Sequence, residues 1–238
     1  MKIHTIYVIA AQHGTETFGL KILAQLRELQ NAQIVTFVAH PEAIAKKRLY
    51  IETDLNRSYE LEAHSSKEAD LARQIIADIE RVGPDLILDL HSARSKVGKV
   101  GIIATEQPEL MEITQALGMD QVAVMPPEIH RASLIGQYSA YSISLEFGVG
   151  LRSDKLAKMT AAKIVELLGS DFTGLSESPL PVYLVQRTIR KADVVGAKLI
   201  NYEFNAVVGG YPFLAAKNAY SEHAGFLAQR RGSSVKSA

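Results

Sequence analysis

At 238 residues, with 47% apolar and 22% charged side chains, the chain is long enough for one α/β domain with a core, or one such domain plus a small appendage, and its composition favours neither disorder nor a fibrous architecture. Basic and acidic residues balance at 26 each, and no segment interleaves basic with aromatic residues, which argues against nucleic acid and anionic membrane as partners. The absence of cysteine excludes a disulfide framework, a thiolate metal site and a cysteine nucleophile, so any metal must be held by His, Asp and Glu.

In chain order, residues 3–11 are β-branched and apolar and predict a strand that ends at Gln12-His13-Gly14. This apolar run is too short for a spanning helix and has no cleavage pattern of a signal peptide, so a cytoplasmic location is expected. Leu20, Leu23, Leu26 and Leu29 give helical spacing over 17–29, and a second strand follows at 33–39. Residues 40–65 are polar without periodicity and carry Arg48, Asp54, Asn56 and Arg57; a long irregular segment in a compact domain is usually functional. An amphipathic helix is predicted over 66–81, with Lys67 and Glu68 outside and Leu71, Ile75 and Ile79 inside, stopped by Gly83-Pro84. Strands at 85–90, 100–105, 121–125 and 141–147 and helices at 108–117 and 155–168 complete an alternating pattern.

Such alternation implies an α/β fold: a mainly parallel or mixed sheet with helices on both faces, binding ligands beyond the carboxyl ends of its strands. The turn-rich stretch TGLSESPLP at 173–181 reads as a linker, dividing an α/β domain (1–174) from a small β-rich capping domain (175–238) with short strands at 182–186, 194–200 and 206–208. The final residues have nothing to bury and are expected to fray.

His13 and Glu16 follow the first strand and His91 ends the strand at 85–90, so three ligand-type side chains meet at one sheet edge. Two imidazoles and one carboxylate leave a fourth position open, the catalytic pattern for zinc. A lone His-x-x-Glu pair is weak evidence: His13 and Glu16 could equally serve the start of the next helix, and His91 could bond backbone. Asp89 shares the strand face of His91 and is placed to orient it.

The ordered set AQHGTE (11–16), DLNRSY (54–59), DLHS (89–92) and SLEFG (144–148), with YPFLAAKNAYSEHAGFLAQRR at 211–231, resembles the succinylglutamate desuccinylase and aspartoacylase family, itself related to the zinc carboxypeptidases. The resemblance implies one zinc ion per chain on His13, Glu16 and His91, Glu146 as general base and acid, and Arg48 as a cation for the oxyanion. It also implies that Asn56 and Arg57 hold a substrate carboxylate and that Tyr220 reaches the site. The implied activity is zinc-dependent hydrolysis of a small-molecule N-acyl amino acid, aspartoacylase-like, with a succinylglutamate desuccinylase or a carboxypeptidase-type peptidase as alternatives; homo-oligomerisation stays open. The chain departs from the family pattern where Leu49 separates Arg48 from Tyr50, and where Ile135-Gly136-Gln137-Tyr138 stands in place of a substrate-binding arginine.

Overall fold

The computed structural model describes residues 1–60, 65–174, 180–216 and 222–231. The elements are, in chain order, β1 (Ile6–Ala10), α1 (Phe18–Glu28), β2 (Ile34–Val38), α2 (Pro41–Ala45), α3 (Lys67–Val82), β3 (Leu86–His91), β4 (Lys99–Ile103) and α4 (Pro108–Ala116). There follow β5 (Gln121–Val124), α5 (Pro127–His130), α6 (Leu134–Gln137), β6 (Ser142–Phe147), α7 (Asp154–Glu166), β7 (Val182–Arg190), β8 (Tyr211–Phe213) and β9 (His223–Arg230). The described strands join in one sheet of order β2-β1-β3-β6-β4-β5-β7-β9-β8. It is mixed: β4 runs antiparallel to β6, and β9 antiparallel to β7 and β8, while the other pairs are parallel.

β1 and β3 are buried along their whole length because helices cover both faces. On one face Ile6, Val8, Leu86, Leu88, Ile143 and Leu145 pack with Ile22 and Leu26 of α1 and with Ala161 and Ile164 of α7. On the other, Tyr7, Ile9 and Ile87 meet Ala72, Ile75 and Ile79 of α3. Helix α3 begins where the Ser66 hydroxyl accepts from the Ala69 N–H at 3.1 Å and ends at Gly83, whose φ of 60° suits a residue without Cβ.

The strand register sets the functional face. His91 pairs with Glu146 and Asp89 with Ser144, and across the antiparallel junction Glu146 meets Val100 and Ser144 meets Ile102. Because side chains alternate, Asp89, His91, Ser144, Glu146, Val100 and Ile102 share one face. On that face the polar residues give way to an apolar cluster of Val100, Ile102, Met125, Tyr183, Phe213 and Phe226 beneath the last strands.

Several expectations need correction. Glu68 is fully buried, because it accepts backbone N–H groups of the irregular segment before it. That segment contains the short helix α2 and a 3-10 turn at Leu55–Arg57. The strand expected at 194–200 is a 3-10 turn at Lys191–Val194 followed by irregular chain, and 206–208 forms a turn; Val195 and Val207 are exposed, so their β-branched character has no sheet to cover. The strand expected at 182–186 runs on to Arg190, paired with β9. Most of the expected linker and the frayed end fall on 175–179 and 232–238, outside the described residues. The β-rich segment after 174 continues the main sheet through β7, β9 and β8.

Candidate metal centre and cavity

After β1 the chain turns at Ala11, a non-glycine residue at φ 60°, and then presents His13 and Glu16. Gly14 is required here: a Cβ would lie 2.2 Å from the Ala43 backbone, so α2 could not pack over the loop. The Gly14 N–H donates to the Leu49 carbonyl at 3.0 Å, tying residues 41–49 to the same loop.

Among the described residues, His13, Glu16 and His91 form a group whose donor atoms all lie within 4.8 Å of one another. Glu16 stands between the two rings, with Oε1 2.8 Å from His13 Nδ1 and Oε2 3.1 Å from His91 Nδ1, and it accepts from the Ser92 N–H at 2.9 Å. Each ring is fixed from behind: His13 Nε2 lies 2.9 Å from Asp54 Oδ1, and His91 Nε2 2.7 Å from Asp89 Oδ2. Asp89 is itself held by the Gln12 amide at 2.6 Å and the Ser144 hydroxyl at 3.2 Å. A carboxylate behind each imidazole is what a metal-ligating histidine needs to fix its ring and raise its basicity, so these residues fit a divalent ion. The sequence placed Asp89 in this role; Asp54 lay in the irregular segment and was legible only as an acid there.

The electrostatics agree. Burial disfavours the charged His13 ring, but Glu16 and Asp54 outweigh it and hold its pKa up at about 9. Burial likewise opposes charge on His91, and Asp89 with Glu16 raises its pKa well above the usual value. The Glu16 carboxyl, despite burial, is pulled below its usual range by the two histidines. The metal-free centre thus carries two imidazolium charges, and a dication can replace two protons without changing net charge. Zinc binding at pH 7 is therefore expected to release about two protons, with affinity rising as pH approaches 9. Calorimetry in buffers of different ionisation enthalpy counts them; a release near zero would contradict the assignment.

Glu146 faces the same cavity. Its Oε2 is buried without a hydrogen-bond partner, and its pKa is pushed up to about 7, by burial first, with His91 opposing and Glu16 adding to the rise. The cavity, about 180 Å3, is lined by His13, Glu16, Asp54, Asn56, Arg57, His91, Arg94 and Glu146, and on its apolar side by Leu49, Ile102, Met125, Ile129, Ile135, Leu214 and Phe226. Asn56 and Arg57 are held in the 3-10 turn, where the Asn56 N–H donates to Asp54 Oδ1 at 2.9 Å and the Leu134 N–H to Asn56 Oδ1 at 3.4 Å. The expected position of Arg48 is not met: it is exposed and absent from the lining, whereas its neighbour Leu49 faces the cavity. Tyr220 lies outside the described residues. The sequence reading missed Arg94, Ser92, Ser95 and His130, which also line the cavity; His130 is buried, and that burial lowers its pKa.

A mixed sheet with this face at its strand ends is the carboxypeptidase-like α/β fold: a metallo-carboxypeptidase from Pseudomonas aeruginosa superposes with a TM-score of 0.52 at 17% identity, over 70% of this chain and 57% of its own. The succinylglutamate desuccinylase of Chromobacterium violaceum gives 0.73 at 17% identity, covering 96% and 85%, and murine aminoacylase 3 gives 0.69 at 17%, covering 97% and 96%. The chain belongs to the succinylglutamate desuccinylase/aspartoacylase family, whose catalytic-domain model matches residues 2–168. A probable aspartoacylase of Trichodesmium erythraeum (strain IMS101) is 27% identical over 131 residues, 49% of this chain and 44% of that protein. One of Prochlorococcus marinus (strain MIT 9313) is 30% identical over 112 residues, 41% and 37%. The match thus spans less than half the length of these curated relatives. Among the described residues no helix is long and apolar enough to cross a membrane.

Proposed function

We propose that this chain is a zinc-dependent hydrolase of the amide bond of N-acyl amino acids, with aspartoacylase-like chemistry on N-acetyl-aspartate or a close relative. The observation that carries the reading is the gathering of His13, Glu16 and His91 in one cavity with the unpartnered carboxylate of Glu146. Bound by the three ligands, zinc supplies Lewis-acid polarisation of the acyl carbonyl and lowers the pKa of water to roughly 7.

The remaining work falls to side chains. Glu146, with a free buried oxygen, accepts the proton of the attacking water and delivers it to the departing amine. Asn56 and Arg57 hold the α-carboxylate of the amino acid through charge-assisted hydrogen bonds, and Tyr220 contributes from the C-terminal segment. Leu214 and Phe226, both beyond residue 174, line the cavity, which supports a capping role for residues 175–238.

Elemental analysis should find one zinc per chain. Chelation should abolish amine release from a panel of N-acetyl and N-succinyl amino acids, and added zinc should restore it. Preference for succinylated substrates would select the desuccinylase alternative, and cleavage confined to peptides would overturn the proposal in favour of a carboxypeptidase.

A further inference from the structure

The apolar side of the cavity wall contains a polar side chain that the proposed function leaves unused. His130 ends α5 and lines the cavity with a residue exposure of 7%, and neither ring nitrogen makes a hydrogen bond. The main-chain carbonyls of Ala104 and of His130 itself approach the ring without closing one. The wall on this side is hydrophobic: Ile102, Ala104, Met125, Ile135, Leu214 and Phe226 belong to one packed cluster, and Ile129, next to His130, packs against it.

The backbone that carries the ring is fixed. The His130 carbonyl accepts from the Ser133 N–H at 2.7 Å and from the Ser133 hydroxyl at 2.6 Å. Gly136 lies so close that a Cβ there would stand 2.2 Å from the His130 carbonyl oxygen. The segment is also pinned to the turn that holds Asn56 and Arg57, because the Tyr59 N–H donates to the Ala132 carbonyl at 3.1 Å and the Leu134 N–H to Asn56 Oδ1 at 3.4 Å.

A buried polar group without a partner is costly, and inside a binding cavity the partner can be the ligand. The ring defines the chemistry of that partner. Burial, helped by the positive charge of Arg57, lowers the His130 pKa, so the imidazole is uncharged at neutral pH. It then offers one donor and one acceptor nitrogen, and the apolar wall penalises a carboxylate brought beside it. A carboxamide, with an NH2 donor and a carbonyl acceptor, matches the ring whichever nitrogen carries the proton. Resting on the hydrolase reading above, we infer that His130 is a specificity-determining residue that takes an uncharged hydrogen-bonding group of carboxamide type on the substrate. Among the substrates that reading admits, it selects the uncharged relatives of N-acetyl-aspartate.

The carboxamide can sit on the amino-acid side chain or on the acyl chain. Steady-state kinetics of the zinc-loaded full chain, of His130→Leu and of His130→Gln decide this with two sets of shape-matched substrates. One set is N-acetyl-asparagine, N-acetyl-aspartate and N-acetyl-leucine; the other is N-succinamoyl-alanine, N-succinyl-alanine and N-(4-methylpentanoyl)-alanine. In one set the wild type should favour the carboxamide by about 10- to 100-fold in kcat/KM over both other members, and that set identifies the source. His130→Leu should remove the preference over the isopropyl member by raising KM for the carboxamide alone. His130→Gln, which keeps an uncharged donor and acceptor, should recover part of it. No carboxamide preference in either set, equal losses in His130→Leu on all three members, or a preference that persists in His130→Leu would overturn the assignment.

Calorimetric titration of L-asparagine and of succinamate into the zinc-loaded proteins keeps this result distinct from failure of the hydrolase reading. If no substrate is turned over, that reading fails, while tighter binding of either probe to the wild type than to His130→Leu still supports the role of His130. Equal binding, or none to the wild type, refutes it.

Discussion

Glu146→Gln is expected to keep one zinc per chain and to lose roughly 1,000-fold in kcat, the scale of a general acid–base group. The substitution is nearly isosteric, and Oε2 makes no hydrogen bond that could be lost. Its effect on stability should have the opposite sign. The folded pKa of about 7 lies above the usual carboxyl value of 4.5, so the folded state binds the proton more tightly than the unfolded one, and the metal-free protein loses stability as pH rises from 4.5 to 7. Above pH 7 the glutamine variant, free of that burden, should be more stable than the wild type by up to about 3 kcal/mol in the metal-free state. In the zinc-loaded enzyme the cation favours the carboxylate, so the acid limb of kcat/KM should fall below 7 and vanish in the variant. Denaturant unfolding of the apo proteins at pH 5 and pH 8, with stopped-time amine release from the loaded ones, reads both effects. An active Glu146→Gln enzyme would remove Glu146 from the chemistry.

What was legible in the sequence followed periodicity and strand ends. The long helices and the strands of the first 168 residues were readable because burial on both sheet faces imposes continuous apolar runs such as 6–10, and helices facing that sheet keep 3.6-residue spacing, whereas the short helices α2, α5 and α6 were not. His91 and Glu146 sit at strand ends, so their meeting was readable once the strands were parallel neighbours. Segment 40–65 could not be read in this way. At residues 51–53 its backbone N–H groups are satisfied by the Glu68 side chain, which lies further along the chain, and no period encodes that. Arg48 illustrates the cost: sequence gives its distance from Tyr50 but not which of two adjacent side chains faces inward, and the Leu49 carbonyl bond to Gly14 accompanies an inward Leu49. Arg94 gave no signal because an isolated arginine in a loop looks the same whether it borders a cavity or open water. The C-terminal β-branched residues Val195 and Val207 suggested strands that the chain, lacking a neighbouring edge at those points, does not form.

The second large effect should come from a residue that touches no substrate. The Glu68 side chain, without solvent exposure, accepts the N–H groups of Ile51 at 2.7 Å, Glu52 at 3.1 Å and Thr53 at 3.1 Å, and lies 3.1 Å from His40 Nε2. Burial alone would raise its pKa, but His40 and the three amides hold it down at about 2. Directly after this trio comes Asp54, which orients His13, then Asn56 and Arg57 in the cavity wall. Glu68→Ala leaves three part-buried N–H donors and the buried His40 without their acceptor, and should cost about 2–4 kcal/mol of stability, with Glu68→Gln intermediate because an amide keeps one accepting oxygen. Because Asp54 loses its support, zinc affinity should fall about 10- to 100-fold in Glu68→Ala. The pH dependence has a defined sign: a folded pKa depressed from the usual carboxyl value of 4.5 to about 2 gives stability that is complete above 4.5 and is lost as pH falls toward 2, about 3 kcal/mol in all. Urea unfolding of the apo protein across that window, with zinc titration of each variant at pH 7, tests the two parts separately. Destabilisation without weaker zinc binding would make Glu68 a residue of the fold alone; loss of both together ties the metal centre to a carboxylate on the first turn of α3.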